Sequence, residues 1–174
     1  MSAARPAGAR RHMYTMQRYL VLTLGIGLAT LTNASEPTHL TLYTRDAAFA
    51  DVKQDVTLAI ENRGFVIERQ LHIGAMLERT GKDFGTTKKI YHDAEALQFC
   101  PASLSRRVME ADPSNIVFCP YTVVLYTLPD NPKKVYVGYR RPTPIGSTAS
   151  QATLRELDAL LDGIVREALG IKNP

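Results

Sequence analysis

The chain has 174 residues and carries 21 lysines and arginines against 17 aspartates and glutamates. Its basic excess is confined to one end, because Arg5, Arg10, Arg11 and Arg18 stand in the first 34 residues with no acid among them, and removing those four leaves 17 of each sign. A formally neutral remainder offers no electrostatic footprint for nucleic acid or an anionic membrane, and no repeat or low-complexity tract suggests a solenoid or a disordered tail.

The first segment reads as a leader. Tyr19 to Ala29 is an apolar run of eleven residues behind a basic stretch, and it ends in Thr32-Asn33-Ala34, small and polar residues suited to a signal-peptidase cut. A membrane span needs about 20 apolar residues, so the run fits a cleavable secretory signal over residues 1–34. The expected domains are therefore that leader and a single α+β domain over residues 35–174, periplasmic or secreted, with no stable membrane span after processing. About 140 residues are enough for one core.

In chain order, His39 to Tyr43 alternates polar and apolar and predicts a first strand. Ala48 to Arg63 places Phe49, Val52, Val56, Ala59 and Ile60 at helical spacing, with Gly64 as its stop. Phe65 to Leu71 is a second strand, Gly74 to Thr80 a short helix, and Lys82 to Asp93 a polar surface loop. Ala96 to Cys100 is a third strand, and Ala102 to Ala111 is a helix bounded by Pro101 and Asp112-Pro113. Within the apolar run Ile116 to Leu128, Pro120 delays the regular strand to Tyr121. A turn at Pro129 to Pro132 returns the chain as a hairpin through Lys134 to Tyr139.

Thr148 to Leu169 is a strong amphipathic helix, with Leu154, Leu157, Leu161, Ile164, Val165 and Leu169 on one face and Gly170 as its stop. Ser147 or Thr148 is placed to cap it, and Gln151 would complete a capping box with Thr148. Strands alternating with helices, followed by a hairpin, predict an α+β fold with a mixed sheet and helices packed against it.

The usual catalytic motifs are missing. There is no phosphate-cradling glycine loop, nucleophile elbow, HExxH or CxxC, and without CxxCH there is no covalent c-type haem attachment. The chain is not an obvious enzyme. Attention falls instead on two cysteines and three histidines.

Cys100 and Cys119 enclose about 20 residues, and in an oxidising compartment such a pair suggests a disulfide. If the intervening helix formed a parallel crossover, however, the two would lie at opposite ends of the sheet, too far apart to bridge. Structural disulfide, buried free thiols, and a reactive or metal-binding pair all stay open. His72 follows a strand and precedes Gly74, where a ligand can approach the end of a sheet; its ordinary role would be to satisfy a turn. His39 reads as a solvated residue near the new amino terminus, and His92 as a loop residue that Asp93 would orient. Lys88-Lys89 and Arg140-Arg141 read as solvated pairs, with an anion site as the minor alternative.

The order Gly64-Phe65, His72, Phe99-Cys100-Pro101, Asp112-Pro113, Pro120 with Val123-Val124, then Val135-Tyr136-Val137 resembles the domain-of-unknown-function family 302, over Leu40 to Arg141. The resemblance implies a compact α+β domain, often dimeric, without a settled activity. That family frequently has an acidic residue before the histidine, where this chain has Leu71. The expected function is an exported small-ligand or cofactor-binding protein in which a homodimer places His72 of each copy around b-type haem or a metal. The alternatives are a thiol-redox protein using Cys100 and Cys119, and a structural or protein-interaction module.

Overall fold

A computed structural model describes residues 39–172; the predicted leader and its cleavage point lie outside them. Five strands and four helices follow in the order β1 Leu40–Asp46, α1 Phe49–Glu61, β2 Ile67–Leu71, α2 Ile73–Gly81, β3 Asp93–Phe99, α3 Ala102–Ala111, β4 Tyr121–Leu128, β5 Asn131–Arg140 and α4 Thr148–Leu169. Short 3-10 segments, Lys82–Phe84 and Pro113–Phe118, follow α2 and α3. The sheet order is β1-β5-β4-β3-β2.

The α+β class is as predicted, but the sheet is antiparallel at every pairing rather than mixed. The alternation of strand and helix did signal a crossover: β1 and β2 run the same way, joined by α1. They occupy opposite edges, and three later strands fill the gap between them.

The connection through α3 is not a crossover at all. Returning alongside seven-residue β3 to its start needs about 23 Å, whereas ten-residue α3 rises only about 15 Å. The following 3-10 segment then folds back on the helix, with Asn115 Nδ2 donating to the Val108 carbonyl at 2.9 Å. The chain re-enters the sheet at the end it left, and Phe99 becomes the register partner of Tyr121.

One face of the sheet is covered. Val123 and Leu125 of β4, Val135 and Val137 of β5, and Leu97 and Phe99 of β3 point toward the helices and are buried. Above them α1 contributes Val52, Val56, Ala59 and Ile60, and α4 contributes the six apolar residues its spacing predicted. Removing one such leucine side chain costs about 2–5 kcal/mol, because the surroundings collapse only partly. Leu104 and Val108 of α3 close the core at one end.

The helix ends follow local chemistry. Gly64 and Gly170 adopt φ of 76° and 68°, the left-handed conformation that a side chain disfavours and that stops a helix. Ser147 caps α4, its hydroxyl accepting from Ser150 N at 3.1 Å. Gln151 instead donates to the Gly146 carbonyl at 3.0 Å, so the capping box with Thr148 does not form.

Among the described residues, no helix packs on the other sheet face across β4 and β5. There Tyr126 and Tyr136, cross-strand partners, stack with ring centres 4.8 Å apart, and Tyr91 meets Tyr126 edge-on at 5.4 Å. Gly138 lets the backbone of β1 approach closely beside this stack, since a Cβ at position 138 would overlap the Thr41 carbonyl oxygen and strike the Leu42 side chain.

Candidate functional site

His72 sits in the turn between β2 and α2. The last residue of β2, Leu71, pairs with Ala96, so the next residue comes level with Glu95 on β3. Gly74 then lets the start of α2 lie against the strand, since a Cβ there would come within 3.0 Å of Ala94 N. The outcome is a histidine carried to a carboxylate: His72 Nδ1 lies 3.5 Å from Glu95 Oε1.

Glu95 shares the covered face of β3 with Leu97 and Phe99, at the end where the helices leave it partly open, and its side chain is 14% exposed. A carboxylate so nearly buried needs partners. It accepts from Gln70 Nε2 at 2.5 Å on β2 and from Lys53 Nζ at 3.3 Å on α1. Its partners therefore come from β2, from α1 and from the turn that carries His72, and that histidine remains 62% exposed. The carboxylate that the position before His72 lacks is supplied across the sheet.

A second histidine–carboxylate pair lies at the same end of β3. His92 Nδ1 is 2.7 Å from Asp93 Oδ2, which also accepts from Thr127 Oγ1 at 3.2 Å. His92 is further held through its backbone, N–H to the Thr127 carbonyl at 2.9 Å. The expected orientation of His92 by Asp93 is present. His39, at the start of β1, is exposed and uses its carbonyl to accept from Arg141 N.

Cys100 and Cys119 are joined, with Cα atoms 6.6 Å apart. The parallel crossover that would have separated them is absent, for the reason given by the short α3. Both lie at the opposite end of β3 from Glu95, half-buried. The structure thus puts His72 and His92 at one end of β3 and the joined cysteines at the other.

Glu95, Gln70 and Lys53 were missed by sequence reasoning. A third strand begun at Ala96 leaves Glu95 outside it; the strand extends back to Asp93, and its alternation puts Glu95 on the face of Leu97 and Phe99. Among the described residues, no three His, Cys, Asp or Glu side chains form a group able to hold a metal ion. No helix among them is long and apolar enough to cross a membrane.

Comparison with known proteins is informative about family. No curated protein matches the chain. A solved structure described as an uncharacterized conserved protein DUF302 from Bacillus stearothermophilus is similar in fold, with a TM-score of 0.63 at 13% identity, covering 76% of this chain and 99% of that one. The model of the family called "Domain of unknown function DUF302" matches residues 41–168, which takes in all of the sheet but Leu40 and nearly all of α4. The chain belongs to the DUF302 family.

Proposed function

We propose that the protein is an exported binding domain that takes a small ligand or cofactor on the Nε2 nitrogen of His72. The observation that carries this reading is the contact of Nδ1 with Glu95. A carboxylate on one ring nitrogen fixes the ring and raises the basicity of the other, the arrangement typical of ligating histidines. Export is supported by the leader pattern and by the joined cysteines, which suit an oxidising compartment.

A b-type haem or a metal held between two copies is the sharpest form of the proposal. One copy supplies an exposed nitrogen beside a carboxylate, with the His72 side chain 62% exposed. A second copy would supply the other nitrogen, each giving one His72. A haem in that setting supplies electron transfer or binding of a small molecule at iron. What this chain contributes is an exposed nitrogen with a carboxylate beside the other ring nitrogen.

The test is titration of the exported protein with haem, followed by the Soret band and by native mass spectrometry. One haem per two chains is expected, with His72→Ala abolishing binding and Glu95→Gln weakening it by about 10–100-fold. Full binding by His72→Ala overturns the reading.

A thiol-redox role for Cys100 and Cys119 is the second reading, favoured by the joined pair being only half-buried. It requires reversible reduction by a mild dithiol together with activity toward a disulfide substrate.

A further inference from the structure

Beside α2, and distinct from the His72–Glu95 contact, the loop that follows the helix folds back over it and forms a partly open cavity of about 150 Å³. The fold-back is held by Thr86 N donating to the Gly81 carbonyl at 3.0 Å. Its tightness depends on Gly81, where a Cβ would come within 3.1 Å of the Thr86 carbonyl oxygen. Gly85, at φ 67°, makes the reversal.

The cavity has two kinds of wall. Half-buried Leu77 and Tyr91 give it an apolar side, and Lys82, Lys88 and Lys89 line the remainder together with Glu78. Among the described residues none of the three lysines enters an ion pair. Three cations against one carboxylate leave a net positive charge around a recess with an apolar floor. Inorganic anions gain nothing from such a floor, and neutral apolar molecules gain nothing from the lysines. An apolar cavity of about 150 Å³ is the size that admits one benzene ring.

We infer that this cavity binds a small organic monoanion of ring size, its apolar part on Leu77 and Tyr91 and its carboxylate among Lys82, Lys88 and Lys89. Desolvation of the ring and attraction of the carboxylate act together, which gives discrimination against molecules having only one of the two features.

The experiment uses the exported full chain and three probes: benzoate, benzyl alcohol and inorganic phosphate. Backbone amide shifts are followed by NMR in wild type, in Lys88→Ala/Lys89→Ala and in His72→Ala. Saturable benzoate shifts confined to Leu77–Lys82 and Thr86–Tyr91 are expected, at least tenfold weaker in the double lysine variant and unchanged in His72→Ala. Both alcohol and phosphate should bind at least tenfold more weakly than benzoate. The inference is overturned if benzoate gives no saturable shifts, if the lysine variant binds it as well as wild type, or if phosphate or the alcohol matches it. Because the substituted lysines are exposed, retained amide dispersion elsewhere separates lost binding from lost folding, and the His72 variant separates this site from the haem reading.

Discussion

Phe99 and Tyr121 stand opposite each other at one end of the β3–β4 ladder, their rings meeting edge to face at 6.5 Å. The residues just outside this pair are Cys100 on one strand and Pro120 and Cys119 before the other, so the register of the sheet brings the two sulfurs together. The bridge closes the excursion made by α3 and the 3-10 segment behind it. Its place is a consequence of strand pairing.

Removing that bridge should lower stability mainly by releasing the unfolded chain. With a sequence separation of 19 between the cysteines, the chain-entropy model gives about 3 kcal/mol. Cys100→Ala/Cys119→Ala should therefore unfold at clearly lower urea concentration, with far-UV circular dichroism retained in water. An unchanged midpoint would show that the reduced, unfolded chain is already constrained.

Asn115 should be among the least replaceable polar residues. It is 2% exposed, and its amide donates to the Val108 carbonyl on α3 and to Ser150 Oγ on α4, the latter at 3.0 Å. Asn115→Leu removes both bonds, leaving Ser150 Oγ without its buried partner and the Val108 carbonyl with only the longer bond from Asp112 N, and should cost about 1–3 kcal/mol in chemical unfolding. Asn115→Asp, which keeps the size and loses the donor, should be no better. A loss below a few tenths of a kcal/mol in both variants would contradict this role.

Stability should fall on the alkaline side. Burial pushes the Tyr139 phenol well above its ordinary value, with Asp158 beside it adding to the rise, and burial and Asp162 act in the same direction on Tyr43. Burial likewise raises Tyr121 and Tyr126. Each group ionises more easily unfolded than folded, so its contribution is whole below about pH 10 and is lost as pH rises above that toward the folded values. The urea midpoint should hold to about pH 9 and drop steeply by about pH 11. Tyr139→Phe should lose about 1 kcal/mol at neutral pH with its hydrogen bond to Asp158, and should show a shallower alkaline drop. A wild-type midpoint that stays flat through this range would rule the coupling out.

Much of the secondary structure was legible because local chemistry determines it. The six apolar residues of α4 recur at helical spacing, Gly64 and Gly170 stop their helices by left-handed turns, and Pro120 delays β4 to Tyr121. The His72 position was visible from its place between a strand and a short helix. None of these features depends on distant residues.

Strand order, by contrast, is set by which apolar faces can be covered together, and it was decided only in three dimensions. Nothing local says that β5 lies between β1 and β4, or that a ten-residue helix and a 3-10 turn bring the chain back to the end of the sheet it left. From that arrangement come the joining of Cys100 to Cys119 and the meeting of His72 with Glu95, 23 residues apart in the chain. Periodicity and backbone preference within a few residues settle the elements, their glycine stops and the α+β class, which is why these were legible in the sequence. The antiparallel pairing, the bridge and the carboxylate behind His72 were decided by tertiary structure, because contacts between strands distant in sequence are selected by packing over the whole core.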